Sequence, residues 1–448
     1  MGSCLSRGLR ADRACPIVSF GAEIDTSPLT PAYGAPPRAA GPRGRHRRIP
    51  PLSASPPLPE PDAARLGLLY AVVFVEIGIA MPFMPIWLNA LGLDARVIGL
   101  LLALPIAVRI VATAPLMALI DRGIGARRLL AAASIVLALT YGLMPAAAGL
   151  GAAALAAVIV LNAVAGAPLV PSIDYLTLAA VRRSARLDYA RIRLAGSVGF
   201  LAANLAGGAL LGVLGERFAV PVLLTALACV AAAVAGRGRG EAEPRQVRAP
   251  NGTGPRLPGT LVLSIAAAAL IQSSHAAIYA FGSIAWSTGG VPAGWIGGLW
   301  ALGVAAEIAL FAGVGRLPAG WRTPFRLIAL GGGAAVLRAV GLALAGDRLV
   351  ALAGLQLLHA LTFGATQLGA MAAVSRFAPD GARGRAQGTL SAASALASAS
   401  ATLACGAIYR EAGGPATFLA MAPLALAGLG FAALAARRAR RDDTVWSR

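Results

Sequence analysis

Twelve apolar segments follow one another along this chain from residue 66 onward. A helix needs about 20 predominantly apolar residues to cross the hydrocarbon core of a bilayer. Because that core offers no water to backbone polar groups, a chain with so many such segments is confined to a bundle of membrane-spanning helices. The predicted fold class is therefore an all-α integral membrane protein. The expected cores of the spans are 66–88, 97–120, 128–148, 152–176, 193–214, 218–236, 259–285, 294–315, 324–345, 349–374, 386–408 and 414–436.

Arginine is concentrated in alternate loops between these segments. The chain has 39 basic residues against 19 acidic ones, and every basic residue is arginine. Because loops rich in basic residues stay on the cytoplasmic side, both termini are predicted to be cytoplasmic, in a bacterial inner membrane. The arginines lie between apolar segments and not on one face with aromatic residues, so a nucleic-acid partner is not indicated.

The longest loop between the segments divides them six and six. It covers 237–258, is rich in Gly, Pro, Arg and Glu, and is predicted to be a cytoplasmic linker. The N-terminal half is then 63–236 and the C-terminal half is 259–436. Residues 1–62 are rich in Pro and Arg and have no apolar run, which predicts a disordered cytoplasmic tail. Residues 437–448 are predicted to form a basic cytoplasmic tail.

The two halves repeat each other in sequence. When the chain is shifted by 198 positions, 91–111 aligns with 289–309, and nine of the 21 positions are identical. The same alignment sets Arg109 opposite Glu307. Two further short sequence patterns repeat at shifts of 192 and 193 positions, in the same chain order. Duplicated halves of this kind are typical of secondary transporters.

Nine polar side chains are predicted to lie at membrane depth. On insertion scales a buried Asp, Lys or Arg costs about 2.5–3.5 kcal/mol, so such residues are rarely kept without a function or a partner. Acids and bases are nearly matched, which predicts pairing across helices. The nine residues are Glu76, Arg109, Asp174, Arg193, His275, Glu307, Arg338, Gln356 and His359.

Three of these residues are the predicted proton-coupling group. Coupling needs a carboxylate whose affinity for protons changes as the site opens to one side, and an arginine at a variable distance produces such a change. Glu307 and Arg338 supply these two groups, and His359 supplies a relay that titrates near neutrality. A buried pair with a purely structural role is the alternative for Glu307 and Arg338.

The other six polar residues are predicted to line a substrate cavity. An anionic substrate needs a cationic partner there, which Arg109 or Arg193 can supply. Two alternatives remain open at this stage: Arg193 can serve only to set topology near a helix end, and His275 can serve only to pack. The six residues are Glu76, Arg109, Asp174, Arg193, His275 and Gln356.

The loop after the second segment carries a family pattern. It contains Asp121-Arg122, Gly125 and Arg127-Arg128. This arrangement resembles the signature loop of the major facilitator superfamily, although Met117 replaces the usual first glycine and one extra residue precedes Gly125. The resemblance implies the major facilitator fold, with twelve transmembrane helices in two six-helix halves. It also implies a conformational loop, whose charges hold one half in one of two states, formed by Asp121, Arg122, Arg127 and Arg128.

A second resemblance is carried by spans five, seven, eight and ten. The matching residues are Tyr189-x-Arg191-x-Arg193-x-x-Gly196-Ser197-x-Gly199-Phe200, Gln272-x-x-His275-Ala276, Tyr279-x-Phe281, Ile284-x-Trp286, Trp295-Ile296-Gly297, Leu299-Trp300, Gly303-Val304-x-x-Glu307-Ile308 and Gln356-Leu357-Leu358-His359-Ala360-Leu361-Thr362-Phe363-Gly364. They resemble the phenylpropionate permease branch of the superfamily, which is similar to the lactose permease and to nucleoside proton symporters. In the lactose permease, helices eight to ten carry the proton machinery. This chain has Ala195 where that family usually has Trp.

These observations together predict a secondary active transporter. It is expected to take up a small organic solute, such as an aromatic carboxylate, with protons, by alternating access of the two halves. No phosphate-binding loop and no metal-ligand spacing is found in the sequence, so an enzyme, a cofactor and a metal site are not indicated. A monomer is expected, with the lipid bilayer, protons and a small-molecule substrate as partners. A proton-driven exporter of drugs or metabolites, and a non-transporting membrane sensor or receptor, are the alternatives.

Overall fold

The computed structural model describes residues 62–184, 186–237, 256–379 and 382–446. The predicted N-terminal tail, apart from residue 62, and most of the predicted linker lie outside the described residues. All regular elements in the described part are helices. The α-helices are α1 (Ala63–Ala90), α2 (Ala95–Asp121), α3 (Ala126–Gly149), α4 (Ala152–Gly166), α5 (Leu169–Arg183), α6 (Tyr189–Leu214), α7 (Glu216–Gly236), α8 (Gly259–Ser273), α9 (Ser283–Thr288), α10 (Ala293–Gly313), α11 (Pro324–Ala345), α12 (Leu349–Leu357), α13 (Thr366–Phe377), α14 (Arg383–Leu419) and α15 (Ala422–Trp446).

Eleven helical segments of the described chain are long and apolar enough to cross a membrane. The last of them, Arg383–Arg441, has 59 residues. At 1.5 Å per residue, one helix of that length would reach about 90 Å, roughly three times the thickness of the hydrocarbon core. This segment is broken at Gly413, whose φ of 74° and ψ of −173° are not helical. It therefore contains two spans, and the described chain has the twelve spans that the sequence predicts.

Aspartate side chains begin three of the helices. Asp62 accepts a hydrogen bond from the backbone nitrogen of Ala64, and Asp94 accepts one from that of Arg96, both at 2.9 Å. Asp188 accepts from the backbone nitrogen of Arg191, also at 2.9 Å. Each carboxylate satisfies an amide group that the first turn of a helix leaves unpaired. These caps fix where α1, α2 and α6 begin.

Two spans of the second half contain a turn of π-helix. Ile278–Gly282 joins α8 to α9, and Ala360–Ala365 joins α12 to α13. The first begins three residues after His275, and the second begins directly after His359. A π-helical turn shifts the register of the helix by one residue and is frequent at functional sites. Both histidines thus lie where their helices change register.

The backbone of the turns repeats in the two halves. Gly92 (φ 77°) precedes α2, and Gly290 (φ 90°) precedes α10. Gly215 (φ 80°) separates α6 from α7, and Gly413 (φ 74°) separates the last two spans. Both pairs are 198 positions apart, which is the shift found in the sequence. Because positive φ is a conformation that favours glycine, the repeat is one of backbone geometry and not only of composition.

The halves contact each other at the end of the bundle away from Ala63 and Trp446. There α2 packs against α14, and α6 packs against α10. A Cβ on Gly99 would lie 2.8 Å from the Gly406 Cα, so the two backbones are nearly in contact. Such close approach of helices requires small residues and is a common packing mode within membranes.

Four charged residues also join the halves at this end, and we call them the charge bridge. Arg96 donates a hydrogen bond to Glu411 Oε1 at 2.5 Å. Arg410 Nε lies 3.3 Å from Asp94 Oδ2. Each half thus contributes one acid and one arginine to the charge bridge.

Candidate functional site

The predicted proton-coupling residues come together in the C-terminal half. Glu307 lies on α10, Arg338 on α11, and His359 at the end of α12. Glu307 Oε2 is 3.5 Å from His359 Nε2, and Arg338 Nη1 is 3.4 Å from His359 Nδ1. The imidazole therefore lies between the carboxylate and the guanidinium. The predicted direct pair of Glu307 with Arg338 is not formed, because His359 occupies the space between them.

Hydrogen-bond chemistry orients this row of side chains. An arginine only donates, so His359 Nδ1 must accept from Arg338. The proton of a neutral imidazole is then on Nε2, which faces Glu307. Hydrogens therefore point in one direction along the row, from Arg338 towards His359 and from His359 towards Glu307.

Arg338 is buried among neutral acceptors. Its Nη2 donates to Gln356 Oε1, and its Nη1 lies 3.4 Å from Thr362 Oγ1. Gln356 Nε2 in turn donates to the Leu299 carbonyl oxygen at 3.0 Å. No described carboxylate lies within ion-pair distance of Arg338. Gln356, predicted to line the cavity, is instead fully enclosed and holds the guanidinium in place.

His275 extends the same network. Its Nδ1 is 3.0 Å from the Gln272 carbonyl oxygen, and its Nε2 is 2.8 Å from Thr362 Oγ1. A carbonyl oxygen only accepts, so Nδ1 donates and Nε2 accepts from the Thr362 hydroxyl. The rings of His275 and His359 are 5.5 Å apart. His275 is buried, so this predicted cavity residue also belongs to the enclosed network.

A second polar cluster lies in the N-terminal half around Glu76. The Tyr141 hydroxyl donates to Glu76 Oε1 at 3.0 Å. Asn162 Nδ2 donates to Thr140 Oγ1 at 2.8 Å, one residue before Tyr141. Glu76 is buried, whereas Arg109 is exposed on α2. Of these two predicted cavity residues, Arg109 is therefore the one that an entering solute can reach.

A third cluster surrounds Asp174. The hydroxyls of Tyr70 and Tyr189 both donate to Asp174 Oδ1, at 2.5 and 2.9 Å. Arg193 Nη1 lies 3.4 Å from the same oxygen, and its guanidinium lies 5.4 Å from the centre of the Phe74 ring. The side chains of Arg193 and Asp174 are 41% and 31% exposed. This cluster offers a partly accessible cation next to aromatic rings.

The hydrogen-bonding tyrosines of these clusters were not predicted as site residues, although Tyr189 stands in one of the motifs that resemble the permease branch. Tyr70, Tyr141 and Tyr189 each donate a hydroxyl to a buried or half-buried carboxylate. Tyrosine is common at membrane interfaces for its amphipathic ring alone, so residue type gave no signal. Thr362, which links Arg338 to His275, is likewise an ordinary residue in a membrane helix.

Ala195 lines a groove between α1 and α6. Ala63, Gly67 and Ala71 line the α1 side of it, and Arg191 lies beside Ala195 on the α6 side. These small side chains leave the surface of α1 open there. Ala195 is thus one of the small side chains that leave this groove open, where the resemblance implies a Trp.

The predicted conformational loop connects α2 to α3. Asp121 ends α2, Gly123 forms the turn with φ 95°, and Arg127 and Arg128 begin α3. Arg122 and Arg128 are exposed. The side chain of Asp121 lies outside the described part of the structure, and the clamp role of the loop stays a prediction.

The chain is similar to known membrane proteins in sequence. Residues 63–420 match the model of the MFS_1 like family. Over 257 residues the chain is 34% identical to a protein of Escherichia coli (strain K12) described as a probable 3-phenylpropionic acid transporter. That alignment covers 55% of this chain and 65% of the relative, slightly less than two thirds of its length.

The chain is also similar to solved structures. A mutant of the nucleoside transporter NupG has a TM-score of 0.72 at 14% identity, with 83% of this chain and 99% of that chain covered. A mutant of the peptide transporter POT has a TM-score of 0.68 at 14% identity, with 85% and 96% covered. At such identities the likeness shows the fold alone, which is the predicted major facilitator fold. The family match covers most of the chain, and this multi-pass membrane protein therefore belongs to the MFS_1 like family.

Proposed function

We propose that this protein is a proton-coupled transporter that takes up a small organic anion such as an aromatic carboxylate. The observation that carries the proposal is the row formed by Arg338, His359 and Glu307. Its members lie on spans nine, ten and eight, the spans that carry the proton machinery in the related lactose permease. Alternating access of the two halves moves the bound solute and the proton across the membrane together.

The residues of the row have different proposed roles. A second positive charge on His359 would face the Arg338 guanidinium at 3.4 Å, which favours a neutral imidazole. The transported proton then binds to Glu307, whose side chain is the more exposed of the two at 17% against 11% for His359. When Glu307 is ionised it attracts the Nε2 proton of His359, and when it is protonated this attraction is lost. Protonation of Glu307 thus weakens the side-chain contact that joins α10 to His359, just after α12.

Two arginines support an anionic solute. Arg109 is exposed on α2, and among the described side chains no acid lies within 4 Å of its guanidinium. Arg193 has a single long contact to Asp174 and lies against Tyr70 and Phe74. A carboxylate can pair with a guanidinium while its aromatic ring packs against such side chains. The printed description of the Escherichia coli relative, a probable 3-phenylpropionic acid transporter, supports the same class of solute.

The arginine-rich loops support the predicted orientation, with both termini in the cytoplasm. They are on the same end of the bundle as Ala63 and Arg441, which by the distribution of basic residues is the cytoplasmic end. The charge bridge then closes the bundle on the outside. In this orientation the described conformation receives and releases solute on the cytoplasmic side.

The test is a pH recording in lightly buffered cells that express the protein. On addition of 3-phenylpropionate, the medium should become alkaline with the wild-type chain and stay unchanged with Glu307→Gln, because the neutral amide cannot carry the proton. Asp347→Asn is the matched control, since it removes an exposed carboxylate at the start of a turn. Uphill uptake that survives in Glu307→Gln would refute the coupling role of Glu307. No alkalinisation in expressing cells would count against uptake of this solute and in favour of export.

A further inference from the structure

Four polar residues of each half occupy equivalent positions. They lie in the first four spans of each half, and every pair is separated by the sequence shift of 198 positions or by one residue more or less. The pairs are Glu76 with His275, Arg109 with Glu307, Tyr141 with Arg338, and Asn162 with His359. The duplicated halves therefore carry polar residues at four equivalent positions, although the hydrogen bonds among them differ.

Packing contacts confirm the equivalence independently of the alignment. A Cβ on Gly166 would lie 3.4 Å from Arg109 Nη2, and a Cβ on Gly364 would lie 3.5 Å from Glu307 Cγ. Gly166 and Gly364 are themselves 198 positions apart. Arg109 and Glu307 thus pack against equivalent glycines in the fourth span of their halves.

One of these pairs has opposite charges in the two halves, and another has an acid in one half only. The N-terminal half has the cation Arg109 where the C-terminal half has the acid Glu307. It has the acid Glu76 where the C-terminal half has the neutral imidazole of His275. Each of these polar networks therefore holds one acid, Glu307 in the second span of its half and Glu76 in the first span of the other. Since Glu307 is the proposed proton carrier of the C-terminal half, Glu76 is the candidate for that role in the N-terminal half.

The surroundings of Glu76 fit a neutral carboxylic acid. The residue is 4% exposed, and its Oε2 has no hydrogen-bond partner among the described residues. Its Oε1 accepts only from Tyr141. An ionised carboxylate with one oxygen left unpaired in a buried site costs several kcal/mol, and protonation removes that charge.

The groups around Glu76 are few. Tyr141 on α3 donates to it, and Arg109 on α2 packs against Gly166, about one turn after Asn162 of the same cluster. Asp174 on α5 and Arg193 on α6 cluster around Tyr70, nearly two turns away along α1. The other helices packed on α1, which are α7, α9 and α10, place no described charge within ion-pair distance of it. Among the described side chains of this half, Arg109 is therefore the cation best placed to draw the proton off Glu76.

We propose that Glu76 is a second proton-binding carboxyl of this protein. It is a neutral acid in the conformation described here, and it releases its proton to water when Arg109 moves closer. The transport part of this inference rests on the proposed function, in which Glu307 binds the first proton. Proton binding at Glu76 itself does not depend on any solute.

Infrared spectroscopy of the full chain in lipid vesicles at neutral pH tests the proton directly. The C=O stretch of protonated carboxyl groups should lose the intensity of one group in Glu76→Gln and none in Asp347→Asn. Unchanged intensity in Glu76→Gln would mean an ionised Glu76 and would overturn the inference, whether or not any solute is transported. A folded state is checked by size exclusion and helix content.

A second variant keeps the carboxyl and removes its donor. In Tyr141→Phe the C=O group of Glu76 loses its hydrogen bond, so its band should move to higher frequency. An unshifted band would also overturn the inference. Where uptake of 3-phenylpropionate is measurable, the number of protons per solute should fall by one in Glu76→Gln. An unchanged ratio would refute a role for Glu76 in the transport cycle.

Discussion

The charge bridge yields a prediction about the balance between conformations. In Glu411→Arg, the partner of Arg96 is replaced by a second guanidinium. The side chains of Arg96 and Glu411 are 53% and 63% exposed, and an ion pair this exposed stabilises closure by about 0.2–1 kcal/mol. Repulsion between two such exposed charges adds up to about 1 kcal/mol. The substitution should therefore favour the conformation open at this end by roughly 0.2–2 kcal/mol, or about 1.4- to 30-fold in population.

The assay is a distance measurement between spin labels in the full chain reconstituted in lipid. Asn89 and Ala412 are exposed, lie near the charge bridge and belong to different halves, so labels there report closure. Glu411→Arg should increase the fraction of long distances, and the further change Arg96→Glu should reduce it again. The difference should shrink at high salt, because exposed charges are screened. A distance distribution that is the same in the wild type and in Glu411→Arg at low salt would refute the reasoning.

Two other substitutions test the packing. Gly297→Ala should prevent full closure, because its Cβ would overlap the Asn204 carbonyl oxygen of the other half. Spin labels at Asn89 and Ala412 should then report long distances. Short distances in this variant would contradict the contact. Arg338→Met should lower the free energy of unfolding by about 1–3 kcal/mol, because Gln356 Oε1 loses its donor, and not by the 3–5 kcal/mol of a broken buried ion pair. Thermal unfolding in detergent measures this, and a loss in the larger range would mean that Arg338 has a carboxylate partner in solution.

The number of spans and their duplication could be predicted from the sequence. Apolar length is set by bilayer thickness, and the shift of 198 positions that aligns Arg109 with Glu307 also relates the positive-φ turns at Gly92 and Gly290. Both features depend on patterns along the chain, which the sequence shows directly.

The order of side chains inside the network could not be predicted. The sequence indicated Glu307 and Arg338 as partners, but the imidazole of His359, which directly precedes a π-helical turn, lies between them. An extra residue in one helical turn has no signature in hydropathy. Tyr141 lies opposite Arg338 at nearly the same shift, yet pairs of unlike residues stand out only after their contacts are known.

The inverted charges at Arg109 and Glu307 bear on how the protein responds to voltage. One unit charge that crosses a potential of 100 mV gains or loses about 2.3 kcal/mol. Parallel repeats related by an axis along the membrane normal place these two residues at the same depth. When the two halves reorient, a positive and a negative charge change sides together, and their electrical work cancels. We therefore expect this pair, while Glu307 is ionised, to add almost no voltage dependence to the switch between the two conformations.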